Sequence, residues 1–170
     1  MLTAAEWAEA RLGYVFRDPA LLDAALTHRS ASKRNYERLE FLGDSVLNFA
    51  TAELLYGAYP DADEGDLSRY RATLVSGSSL AAVAAGLGLG DQLRLGSGEL
   101  KTGGFRRGSI LADALEALFG AVLLDGGIVA AREVIERLFS ARLGQLPGAQ
   151  ELKDPKTRLQ EHLQARGLPL

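Results

Sequence analysis

The stretch Glu37-Arg38-Leu39-Glu40-Phe41-Leu42-Gly43-Asp44-Ser45 opens a segment, residues 37–56, whose apolar positions recur at helical spacing. Leu39, Phe41, Leu42, Val46, Leu47, Phe49, Leu54 and Leu55 nearly encircle that helix, which predicts a central element packed on most of its sides. Against this apolar background stand Glu37, Glu40 and Asp44, three and four positions apart, which project from consecutive turns of one side. Asp113 and Glu116 repeat the spacing in a second strongly apolar helical segment, residues 110–124. Taking an ionised carboxylate out of water is costly unless it is paired, and several converging carboxylates repel until a cation neutralises them. If the two apolar helices pack as core neighbours, Glu40, Asp44, Asp113 and Glu116 meet around one set of oxygen ligands. Such a set suits Mg²⁺ or Mn²⁺ rather than zinc or copper.

A single Glu or Asp on a helix is most often a solvated surface group. Solvated acidic faces pair with Lys or Arg at a spacing of four, yet at that distance from Glu40 and Asp44 stand Tyr36 and Asn48. A di-iron bundle also gathers carboxylates, but it needs a Glu-x-x-His pair on each of two helices, and three positions beyond Glu40 and Glu116 come Gly43 and Phe119. The absence of cysteine removes thiolate metal sites, disulfides and cysteine nucleophiles. His28 and His162 lie too far apart in sequence to read as an acid–base pair, and each reads as a capping or hydrogen-bonding residue. Gly86, Gly88 and Gly90 follow no strand and have the wrong spacing for a dinucleotide loop, so they read as helix-ending turns.

Outward from the central segment the pattern stays helical. Thr3 and Glu6 form a capping box for a first helix that Gly13 stops, and Asp18 with Pro19 opens a second through about His28. Polar residues 30–35 form a linker. Asp63, Glu64 and Asp66 place negative charge at the start of a helix running to Leu74, and Ser76 caps another to about Ala85. Residues 91–104 read as a mobile glycine-rich loop with one helical turn around Glu99, and Gly126 with Gly127 divides the segment 110–124 from an amphipathic helix over 128–143. No strand is expected, so the fold class is all-α. With 170 residues and 47% hydrophobic content the chain suffices for one domain with a full core. No apolar run approaches membrane-spanning length and the first residues lack the order of a signal peptide, which reads as a cytoplasmic protein without a membrane partner. A net charge of -3 argues against nucleic-acid binding only in total, because acidic metal sites lower the sum while basic stretches such as Arg69 with Arg71, or Lys101 to Arg107, suit local contact with phosphates.

The nine residues from Glu37 to Ser45 resemble the signature of the ribonuclease III family, complete and in order. Around them stand Thr27-His28-Arg29-Ser30, Glu64-Gly65-Asp66-Leu67-Ser68, Leu111-Ala112-Asp113-Ala114-Leu115-Glu116-Ala117 and Leu124-Asp125-Gly126-Gly127, again in the family's order. Tyr36 stands where many bacterial members carry a second Asn, a departure not expected to affect the chemistry. The resemblance implies a nuclease domain over 1–145, a linker over 146–152, and over 153–170 the incomplete start of a double-stranded-RNA-binding domain, as in a fragment ending early. It implies an Mg²⁺-dependent endoribonuclease, with Mn²⁺ as a substitute, that cuts both strands of double-stranded RNA as a homodimer. Products would carry 5′-phosphate and 3′-hydroxyl ends, in ribosomal and messenger RNA processing.

By the same resemblance Glu40, Asp44, Asp113 and Glu116 are the metal ligands, with Asp44 and Glu116 catalytic. Glu37 and Glu64 lie nearer the RNA or the dimer interface. Phe41 resembles a dimer contact that inserts into a socket of the partner, although a buried core aromatic fits the sequence alone. Arg71, Lys101, Arg106 and Arg107 are candidates for phosphate contact, solvated surface charge being the alternative, and Gln160 would face the RNA minor groove. Two other classes remain open at this point: a non-cutting RNA-binding scaffold, which would be expected to have lost acidic ligands, and an unrelated helical metal-binding protein.

Overall fold

The computed structural model describes residues 2–148, together with 160 and 163–166. Seven α-helices follow one another: α1 (Ala4–Leu12), α2 (Pro19–Ala25), α3 (Glu37–Ala58), α4 (Glu64–Leu74), α5 (Gly77–Gly86), α6 (Ser97–Lys101) and α7 (Gly108–Leu143), with single 3-10 turns at Leu89–Gln92 and Gly104–Arg106. The local signals act as expected. Thr3 and Glu6 close a reciprocal capping box on α1, which ends at Gly13 with φ of 69°. The side chains of Asp18, Asp63 and Ser76 accept backbone N–H groups at the starts of α2, α4 and α5.

The centre of the fold is the crossing of α3 on α7. Two glycines make it possible. A Cβ at Gly43 would lie 1.7 Å from the backbone oxygen of Glu116, and one at Gly120 would lie 2.2 Å from the backbone oxygen of Leu39. The helices therefore touch backbone to backbone, closer than any side chain allows. Leu47, Leu115, Leu118, Phe119 and Val122 are fully buried around this contact. The α1 helix is tied across the fold by the Trp7 indole N–H, which donates to the Leu87 oxygen at 2.9 Å.

Several expectations need correction. The α2 helix stops at Ala25 rather than near His28, because the chain there turns extended: Thr27 pairs with Arg94 in an isolated parallel bridge, with Arg94 N–H donating to Leu26 O at 2.8 Å and His28 N–H to Arg94 O at 3.0 Å. Among the described residues this bridge is the closest approach to a strand. The α3 helix is not packed all round: Phe41 is 78% exposed, and Phe49 and Tyr56 are exposed as well. Residues 89–106 hold more structure than a loop with one turn, since Gly90 and Gly96 each bring their backbone against that of Phe105 or Ser30.

The α7 segment runs as two helical stretches across a kink at Gly127, whose backbone is non-helical (φ 83°, ψ -179°), where the sequence placed a break. Just before the bend, Asp125 accepts from the Tyr14 hydroxyl and from the backbone N–H groups of Arg17 and Asp18, at 2.8–2.9 Å. This helix also carries a window long and apolar enough to cross a membrane, contrary to the reading of the sequence, but Ile110 to Val122 form the centre of the packed core, apart from the half-buried Asp113 and Glu116. Of the C-terminal segment, Gln160 is described as helical and exposed; His162 and most of 153–170 lie outside the described residues.

Candidate metal centre

The glycine crossing decides where the acids go. Glu40 and Asp44 flank Gly43 on α3, while Glu116 stands one turn before Gly120 on α7, so the two helices carry their carboxylates to the same place. One oxygen each from Glu40, Asp113 and Glu116 lies within 4.8 Å of the others, and all three side chains are half-buried. Among the described residues none of these acids, nor Asp44, is in a salt bridge.

Burial and mutual repulsion act on the group together. Loss of solvation, followed by the charges of Asp44, Glu40 and Asp113, pushes the Glu116 carboxyl up to about 7. Glu40 is raised by burial first and then by Asp113, Glu37 and Asp44, with Arg29 opposing. Asp113 is raised by burial against the opposing charges of His28 and Arg29. Oxygen donors at this spacing, short of cations and partly dehydrated, fit a hard divalent cation.

Asp44 stands apart from the closest three. It is exposed, and its Oδ1 accepts from Asn48 Nδ2 at 3.0 Å, the same amide that bonds the Asp44 backbone oxygen at 2.9 Å. Its charge nevertheless reaches Glu40 and Glu116.

Beside the acids opens a polar pocket of about 310 Å³ lined by Arg29, Tyr36, Glu40, Glu99, Arg107 and Asp113 among others. Sequence reasoning gave no site role to His28, Arg29, Tyr36, Glu99 or Asn48. Only the neighbourhood of Tyr36 and Asn48 to the acids at a spacing of four hinted at two of them. His28 is buried, its Nδ1 accepting the Ser30 N–H at 3.1 Å and lying 2.7 Å from the Ser30 hydroxyl. Tyr36 is buried with its phenol pKa raised, by burial first and then by Asp113 and Glu40.

The remaining candidates lie outside the triad. Glu37 pairs with Arg29 at 3.5 Å on the surface, and Glu64 accepts from the Ser68 hydroxyl at 2.9 Å. Arg107 pairs with Glu99 at 2.9 Å and Arg106 stacks over Phe105, while Lys101 is exposed at the end of α6 and Arg71 is half-buried on α4. Arg69 pairs with Asp66. Phe41 is exposed beside an apolar hollow of about 600 Å³ formed with Leu39, Leu42 and Leu124, so it is not the buried core aromatic that the sequence left open.

Residues 18–143 match the family model described as Ribonuclease-III-like. The chain belongs to the ribonuclease III family. The chain is similar to Ribonuclease 3 of Alkalilimnicola ehrlichii, 64% identical over 160 residues that make up 94% of this chain and 70% of that protein. Among solved structures, the ribonuclease III nuclease domain of Campylobacter jejuni superimposes with a TM-score of 0.80 at 42% identity, covering 86% of this chain and all of that one. A second structure from the same organism, described for flexibility in a region involved in dimer formation, gives a TM-score of 0.78 at 44% identity and covers 80% of this chain and 96% of that one. Membership in the ribonuclease III family carries metal dependence, and the cluster of Glu40, Asp113 and Glu116 is a group of carboxylates that could hold an ion.

Proposed function

We propose that this chain is a ribonuclease III-type endoribonuclease that hydrolyses both strands of double-stranded RNA, leaving 5′-phosphate and 3′-hydroxyl ends, in RNA processing within the cytoplasm. The observation that carries the reading is the meeting of Glu40, Asp113 and Glu116 within 4.8 Å, with no salt bridge to any of them among the described residues, in a chain whose relatives are named Ribonuclease 3. Glu40, Asp44, Asp113 and Glu116 hold Mg²⁺ in this reading, and Mn²⁺ substitutes for it. When bound, the cation supplies Lewis acidity at the phosphoryl oxygen and lowers the pKa of a coordinated water.

The chain's own groups supply position and charge. Glu40 and Asp113 form the inner wall of the site. Asp44 and Glu116 are the catalytic pair: Asp44 is open to a substrate arriving from solvent, and Glu116 feels the charges of all three other acids, so it couples the open side to the inner wall. No histidine pair and no attack by the 2′-hydroxyl is required, which accords with the structural role of His28.

One site cuts one strand. Cutting both at a fixed offset calls for a homodimer with two-fold symmetry, for which the exposed Phe41 and Leu124, sharing one apolar hollow, are suited. Arg71, Lys101, Arg106 and Arg107 are assigned to RNA phosphates, and Glu37 and Glu64 to the edge of the RNA path or the interface. Residues 1–145 act as the nuclease domain, 146–152 as a linker, and 153–170 as the start of a double-stranded-RNA-binding domain in which Gln160 meets the minor groove. The test is cleavage of a labelled RNA duplex in Mg²⁺ and in EDTA, with end-group analysis. Paired cuts with 3′-hydroxyl ends in Mg²⁺ alone are expected; cutting in EDTA, or 3′-phosphate ends, would refute the proposal.

A further inference from the structure

Tyr36 stands beside the acidic cluster with no part in the proposed chemistry. It is 2% exposed, yet its side chain lines the polar pocket that holds Glu40 and Asp113, and among the described residues its hydroxyl makes no hydrogen bond. Its ring has little freedom: it stands edge-on to His28, with centroids 5.5 Å apart and planes at 83°, and His28 is itself tethered to Ser30. The hydroxyl is not sealed in the core but opens on the pocket, where its O–H is available to donate to a group there.

The choice of partner is narrow. Arg29 and Arg107, which also line the pocket, are donors only and are already engaged with Glu37 and Glu99. Of the other polar lining residues Ser109 and His28 offer an acceptor each, but Glu37, Glu40, Glu99 and Asp113 make carboxylate the prevailing one, and the phenol meets it as a hydrogen-bond donor. Asp113 and then Glu40 are the carboxylates whose charges act on it most. The pocket's volume of about 310 Å³ has room for a bridging water.

We propose that Tyr36 is a positioning residue for the metal site, its hydroxyl donating directly or through one water to the Asp113 carboxylate and fixing that ligand's orientation. Outer hydrogen bonds of this kind commonly change metal affinity by about 10–100-fold when removed. The inference rests on Asp113 being a metal ligand, as proposed above.

The test is Tyr36→Phe, which keeps the ring and its contact with His28. Titration of the purified chain with Mn²⁺ by calorimetry is expected to give a dissociation constant about tenfold or more weaker than the parent's, with the melting temperature in EDTA essentially unchanged. In duplex cleavage the Mg²⁺ concentration for half-maximal rate is expected to rise by a similar factor while the rate at saturating Mg²⁺ stays within about threefold. Mn²⁺ affinity within twofold of the parent would overturn the proposal. Loss of folding in EDTA would overturn it too, because the hydroxyl would then serve the core and not the ligand. If the parent chain itself binds no Mn²⁺, the failure lies in the metal-site reading rather than in the role of Tyr36.

Discussion

Replacing Glu116 by Gln should make the metal-free protein more stable while abolishing its activity. The Glu116 carboxyl is raised from its ordinary 4.5 to about 7 by lost solvation and by three neighbouring acids. At about 1.4 kcal/mol per pKa unit, keeping it ionised in the fold costs at most about 3.5 kcal/mol. Because the group is half-buried and partly screened by solvent, about 1–2 kcal/mol is the working figure. The sign follows from linkage. A carboxyl raised on folding contributes full stability below its unfolded value near 4.5 and loses it as the pH rises to about 7 and beyond. Gln keeps the shape of the side chain without the charge. In EDTA at pH 8 the variant is therefore expected to melt about 3–6 °C above the parent, and at pH 4 the two should coincide. Millimolar Mg²⁺ should reverse the order, because it stabilises only the chain that binds it. The assay is thermal unfolding followed by circular dichroism at both pH values, with and without Mg²⁺, beside duplex cleavage. A variant less stable than the parent at pH 8 in EDTA, or one stabilised equally by Mg²⁺, would refute the argument.

Other perturbations read different parts of the same account. Gly43→Ala puts a methyl into the backbone oxygen of Glu116 at 1.7 Å, so urea denaturation should show a loss of at least about 3 kcal/mol or no cooperative fold. Asp125→Ala removes three hydrogen bonds that hold residues 14–18 to the bend of α7, with an expected cost of about 2–3 kcal/mol. Burial opposes the Asp125 charge, but those bonds outweigh it and hold the carboxyl below 3.8. Its stabilisation is thus present above that value and fades only as the pH falls through the lower folded one, so parent and variant should converge in strong acid. Phe41→Glu places a charge on a residue that is 78% exposed, so the folded monomer should survive while sedimentation at micromolar concentration shifts from dimer to monomer. An unchanged dimer would remove Phe41 from the interface.

Much of this was legible in the residues because it is carried by local chemistry. The caps at Thr3, Asp18, Asp63 and Ser76 and the break at Gly126 and Gly127 are short-range signals that tertiary packing did not overrule. The acids were legible because spacing on one helix fixes a shared side, and the nine residues from Glu37 to Ser45 added a specific family resemblance. What the sequence hid was pairwise. Nothing in a periodic pattern says that Gly43 and Gly120 face each other, although that contact sets the distance between Glu40 and Glu116. The end of α2 was missed because the partner of Thr27 is Arg94, far along the chain. The exposed Phe49 was counted among the packed positions, and Phe41 was left between dimer contact and core, because an apolar stripe facing a partner molecule and one facing the interior look alike in sequence. Tyr36 was set aside as an unimportant departure because its burial beside Asp113 appears only once α3 and α7 have met.

The central claim is that carboxylates from α3 and α7 converge to hold a divalent cation. It is tested most directly by the anomalous scattering of Mn²⁺ in crystals of this chain. A peak within coordinating distance of Glu40, Asp113 and Glu116, with Asp44 turned from Asn48 toward it, is the expected result. Mn²⁺ bound elsewhere while these acids remain free would contradict it.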